Sequence, residues 1–174
     1  LQIQDGDGNP VNIGVDIEVV KDITVGTTVK ALGATNITCR GNWNRPASGS
    51  QKNNFIGGTG AVIFAGTVMQ DINKPETFTN VTFNNPKLAA FSTTYTQTIS
   101  GVLTLTHGIL KGNASNPICL TADATIVGGS PESYINGTVE KEGSADFHFP
   151  IGGNDRYAPI EIFDLGATGK FQDG

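Results

Sequence analysis

Residues 58–85, GTGAVIFAGTVMQDINKPETFTNVTFNN, hold the pattern that most restricts the fold. Short apolar runs, each closed by Gly, Asn or Thr, return about every twenty residues. Val62 and Phe64 sit in one run, and Val81 and Phe83 hold the same places nineteen residues later. Leu103 and Leu105 follow after a further twenty-two, Ile118 and Leu120 after fifteen, and then Ile135 and Val139. Apolar residues at i and i+2 give a strand one inward face. A single coil cannot bury that face alone, whereas coils stacked on one another can. A period near twenty therefore predicts a β-solenoid, specifically a right-handed parallel β-helix. The rival arrangement is a plain β-sandwich in which the same period is one hairpin.

Composition agrees with an all-β chain. Gly, Thr and Asn number 23, 20 and 15, one third of the 174 residues, and they suit corners and strands rather than helices. No window carries helical periodicity. A net charge of −5 with three Arg provides no basic face for phosphates, which excludes nucleic acid as a partner. No apolar run approaches the length of a membrane span.

Along the chain, residues 1–142 read as the solenoid and residues 143–174 as the start of an antiparallel β-sandwich or as solenoid-end strands. In the closing stretch Phe147 and Phe149 alternate with His148, and Ile160 and Ile162 alternate with Glu161, around a Gly-Gly-Asn turn. Residues 45–54 read as an exposed loop. Solenoids need polar caps, and neither end of the sequence reads as one, so the chain is expected to be a piece of a longer polypeptide. Cys39 and Cys119 are eighty residues apart. Four coils at the strand spacing put them roughly 19 Å from each other, beyond disulfide reach, and predict two free, core-facing thiols.

The candidates for chemistry are few. Asp5, Asp7 and Asn9 in DGDGN have the alternate spacing of an oxygen-rich calcium loop, and Asp16 is a further candidate ligand. The EF-hand pattern wants Gly where Pro10 stands and a distal Glu that is missing, so a simple turn is the competing account. Calcium is the one cofactor the sequence raises. Trp43 and Tyr95 are candidates for stacking on sugars, with core or corner packing the alternative for Trp43. His107 and His148 lie forty-one residues apart with no ligand cluster beside them and read as solvent-facing. The acids Asp71, Glu76, Asp123 and Glu132 are scattered, and no nucleophile elbow occurs. No catalytic residue is assigned, and the chain is expected not to be an enzyme.

The motifs GNW at residues 41–43, GTGAVIFAG at 58–66, QDI at 70–72, TFTNVTFNN at 77–85 and SGVLTLTHGIL at 100–110 continue into SYINGTVEK and FHFPIG…RYAPIEI. In this order they resemble segments of large secreted surface proteins of Bacteroidetes, over roughly residues 41–162. Val68 and Met69 depart from the family's more polar pattern, and the first forty residues do not align. The resemblance implies a β-helix-like adhesin-type segment, exported by type IX secretion to the cell surface or medium. The partners it implies are the rest of a longer polypeptide, the secretion machinery, and surface glycans or other cell-surface proteins. It implies a stalk or adhesive role and no active site. The rival reading is a carbohydrate-binding or polysaccharide-processing module on the same scaffold.

Overall fold

The computed structural model describes residues 1–3, 9–46, 55–87, 91–112, 114–153, 156–163 and 170–173. Their elements are strands, and the strands wind as coils of three. The first coil holds β1 (Gln2–Ile3), β2 (Val11–Ile13) and β3 (Ile17–Val19). The second holds β4 (Ile23–Val25), β5 (Val29–Ala31) and β6 (Ile37–Cys39). The third holds β7 (Trp43–Asn44), β8 (Phe55–Ile56) and β9 (Ala61–Phe64). The fourth holds β10 (Gln70–Asn73), β11 (Glu76–Phe78) and β12 (Asn80–Asn84). The fifth holds β13 (Phe91–Thr93), β14 (Gln97–Ile99) and β15 (Val102–His107). The sixth holds β16 (Leu110–Lys111), β17 (Ile118–Leu120) and β18 (Thr125–Gly128). A seventh begins with β19 (Ile135–Asn136) and β20 (Val139–Glu142). The result is a parallel β-solenoid of about six turns.

Every third strand shares a face. One face is the sheet β1-β4-β7-β10-β13-β16-β19 and another is β3-β6-β9-β12-β15-β18. The remaining face is divided between β2-β5-β8 and a sheet that runs β11-β14-β17-β20. All the coil-to-coil pairings are parallel. Parity makes the core: Val62, Phe64, Val81, Phe83, Leu103 and Leu105 stack in register on one face, each at most 3% exposed. Leu120 is equally buried, but on a different face. The residues stacked on Leu103 and Leu105 are Ile126 and Gly128, twenty-three positions on. The fifteen-residue step to Ile118 and Leu120 is therefore a step between faces, made because a coil carries three apolar runs and not one.

Gly128 shows what the corners demand. Its φ is +90°, and a Cβ there would lie 2.1 Å from the Leu105 carbonyl oxygen, so only glycine fits.

From residue 147 the pairing turns antiparallel. β21 (Phe147–Phe149) pairs with β24 (Ile160–Ile162), and β22 (Gly152–Gly153) pairs with β23 (Arg156–Tyr157). β25 (Lys170–Asp173) lies antiparallel on β20, and Ile151 bridges to Ile135 of β19. Phe149 and Ile151, 1% and 9% exposed, join the core cluster. This end of the solenoid is thus covered by its own chain, contrary to the expectation that neither end carries a cap. The reason is tertiary: Phe149 and Ile151 turn onto the core while Ile160 and Phe163 stay exposed, and a linear reading for polar caps does not separate the two.

Candidate functional site

The chemistry-bearing side chains fall into an interior group and a series of corner groups. The interior group sits where the third and fourth coils meet. Lys74 Nζ lies 3.0 Å from Glu76 Oε1, with both side chains fully buried. Trp43 Nε1 donates to Glu76 Oε1 at 3.3 Å, and the Phe55 N–H donates to Glu76 Oε2 at 3.2 Å. The described residues form no backbone ladder between β8 and β11, and the carboxylate of Glu76 accepts an N–H on that side. Around the pair Trp43 meets Phe55, Phe64 and Phe78 edge-on, with ring centroids 5.6, 6.1 and 5.8 Å away. A buried ion pair needs this degree of hydrogen bonding to offset desolvation.

A second buried polar group closes the corner after β9. The Gln70 amide accepts from the Gly66 N–H at 2.7 Å and donates to the carbonyls of Cys39 and Gly41 at 3.1 and 2.6 Å. Asn85 Nδ2 donates to the Val68 carbonyl at 2.7 Å, which ties down the segment that carries the exposed Val68 and Met69. At the far end Lys141 Nζ donates to the carbonyls of Thr121, Ala122 and Glu142 at 3.0, 2.7 and 2.7 Å. Burial pushes that ammonium below its ordinary 10.5. These groups complete backbone hydrogen bonding where the chain turns, which buried backbone atoms require.

The outer corners repeat one device. The Asn36 N–H donates to Asp16 Oδ1 at 2.7 Å, the Ala61 N–H to Asn36 Oδ1 at 3.0 Å, and the Val102 N–H to Asn80 Oδ1 at 2.9 Å. At the neighbouring corner the Asn42 N–H donates to Asp22 Oδ1 and the Asp71 N–H to Asn42 Oδ1, both at 2.8 Å. In every case the side chain of one coil takes the N–H of the residue stacked on it.

The candidates from sequence separate accordingly. Asp5 and Asp7 lie outside the described residues. Asn9 is exposed, and both oxygens of Asp16 accept from Asn36, whose backbone N–H and then side chain hold that carboxyl below its ordinary 3.8. Among the described residues no three His, Cys, Asp or Glu side chains come together as a metal site. Trp43 is 1% exposed and its ring is enclosed by phenylalanines, so it offers no face to a sugar and belongs to the core. Tyr95 is half-buried, with the Arg45 guanidinium 5.2 Å from its ring centroid. His107 and His148 are exposed and contact Asn84 and Glu161. Asp71 sits at a corner, while Glu76 is the buried carboxylate already described.

Neither cysteine is in a disulfide. They lie four coils apart, on β6 and β17, but only Cys39 faces the core. Cys119 stands between the inward Ile118 and Leu120 and faces outward, its Sγ 3.5 Å from Glu140 Oε2. The expectation of two core-facing thiols fails for Cys119 by simple strand parity. The same parity identifies the interior polar residues that residue type alone hides: Glu76 is two before Phe78, Gln70 two before Ile72, and Gln97 two before Ile99. No family model, curated protein or solved structure matches the chain.

Proposed function

We propose that this chain is a mechanical element, a stalk or adhesin segment within a large secreted bacterial surface protein. The observation that supports this reading best is how the chain uses its polar side chains. Gln70, Glu76, Asn85, Gln97 and Lys141 are spent on holding corners and coil junctions, and the outer Asp and Asn residues link each coil to the next. A stack whose ladders run from coil to coil resists bending and leaves few free strand edges along its sides. Export by type IX secretion, a place at the outer surface and continuity with a longer polypeptide belong to the same proposal and rest on the motif resemblance. On this reading the chain has no catalytic role and needs no cofactor.

The test is a screen of the purified chain against acidic and neutral polysaccharides, with and without calcium. The mechanical reading expects neither turnover nor binding, and no calcium-dependent rise in melting temperature. Release of reducing ends or unsaturated products, lost on replacing one carboxylate pair, would overturn it in favour of a polysaccharide-processing module. Binding without turnover would favour a carbohydrate-binding module. Tyr95 is then the residue to replace first, because it stands beside the Asn44, Asn73 and Thr94 chain of outward hydrogen bonds.

A further inference from the structure

The two ends of the solenoid are built differently. At the C-terminal end β25 covers β20, and Ile151 bridges to β19. At the N-terminal end the outer edges of β1, β2 and β3 pair with no described strand. The side chains repeat the contrast. Val29, Ala31, Ile37 and Cys39 of the second coil are at most 5% exposed, whereas Val11, Ile13, Ile17 and Val19, which they stack on, are only partly buried. Leu1, Val15 and Val20 are 54%, 70% and 71% exposed at the same end. A groove of about 400 Å³ opens there, lined by Leu1, Ile3, Val11, Ile13, Val15 and Ile17.

We propose that this end is a joining surface for one further parallel coil lying before Leu1, with apolar residues at alternate positions and Asn or Asp at two corners. The surface continues an interface the molecule already uses six times, coil on coil. The corner chemistry specifies the occupant. Asp16 and Asp22 each take the N–H of the residue above them, as Asn36 and Asn42 do one coil later. An Asx side chain beneath Asp16 and another beneath Asp22 would extend both series by one step. A second copy of this chain fits less well, because two of the three strand edges at its other end are already taken. This deepens the stalk reading and rests on it: the rod lengthens at its N-terminal end, where among the described residues all three strand edges are open, against one of three at the other end.

The experiment extends the full chain by a duplicate of residues 23–42 placed before Leu1. That unit supplies the apolar residues of β4, β5 and β6 and ends in the corner Asn. The expected results are a higher melting temperature and amide exchange slowed by at least about tenfold at Asn12 and Glu18. The N–H groups of these two residues alternate with those of Val11 and Ile17, which bond upward to the carbonyls of Thr28 and Asn36. A control extension with serine in place of the copied Ile23, Val25, Val29 and Ile37 should give neither effect. Unchanged exchange and melting in the first extension would overturn the proposal. So would a dimeric unextended chain that already protects Asn12 and Glu18 and becomes monomeric on Val15→Lys, since the surface would then join two copies. Polysaccharide turnover in the earlier screen would defeat the stalk reading while leaving this exchange result standing, so the two failures are distinguishable.

Discussion

At the scale of single residues, burial controls both ionisation and the cost of substitution. Removal from water pushes the Cys39 thiol from its ordinary 9.0 up to about 11. Between those values the unfolded chain has lost the thiol proton while the folded chain keeps it, so the unfolded state binds fewer protons and stability falls as pH rises. The loss amounts to about 2–3 kcal/mol across that window. Urea melts at pH 8 and pH 10.5 should show it, and Cys39→Ala should remove most of the difference. Lys141 acts with the opposite sign, because burial lowers its ammonium below 10.5 and its contribution rises with pH as that value is approached. The Lys74–Glu76 pair is the other sensitive point. Glu76→Gln removes the carboxylate charge 3.0 Å from the buried Lys74 ammonium and should destabilise by about 3–5 kcal/mol. Lys74→Met combined with Glu76→Gln should cost less than the sum of the two single changes. A double-mutant cycle by chemical denaturation checks this, and simple additivity would show that the two groups act independently.

At the scale of elements, the strands are too short to stand alone and most carry three to five residues. What aligns them is the corner. Asn80 accepts the Val102 N–H and donates to the carbonyls of Thr59 and Gly60, linking three successive coils. Asn80→Ala should therefore destabilise by about 1–3 kcal/mol through backbone groups left unpaired. Amide exchange should quicken first at Val102, a local effect that a general loss of packing would not produce. The alternation that sets the core also sets the outer surface. Glu18, Thr38, Ile63, Thr82, Thr104 and Val127 form an outward column on one face that is charged only at its Glu18 end.

At the scale of the molecule, the solenoid is a stack with one end largely covered, and nearest-neighbour contacts carry its stability. Truncation after residue 142 removes the strands that cover the last coil, including Phe149 and Ile151 of the core cluster. The shortened chain should melt at a lower temperature, bind a hydrophobic dye and associate in a concentration-dependent way, as uncovered strand edges do. Light scattering and dye fluorescence measure both. A truncated chain that stays monomeric with unchanged melting would show that residues 143–174 are an appendage and not a cap.

Local alternation of side chains pointed to a stack of coils, because period-two patterning recurring near twenty residues leaves few ways to bury Val62, Phe64, Val81 and Phe83. The same period also fits the hairpins of a β-sandwich, and the parallel pairing of the strands decided between them. The coil reading also put Cys39 and Cys119 too far apart to bond. Parity within ETF, QTI and ICL contained the inward direction of Glu76 and Gln97 and the outward direction of Cys119, but residue type argued the opposite for Glu76 and for Cys119. Only the tertiary structure decided which run falls on which face, since loops of unequal length between coils shift the spacing from nineteen residues to twenty-nine. It alone placed Lys74 and Glu76 beneath Trp43, because the Trp43–Glu76 contact joins two coils and stands where the described residues form no backbone ladder between β8 and β11. It alone covered most of one end and left the other open. Whether an apolar strand covers a neighbour or waits for one depends on what is stacked on it, and a linear chain does not carry that information locally.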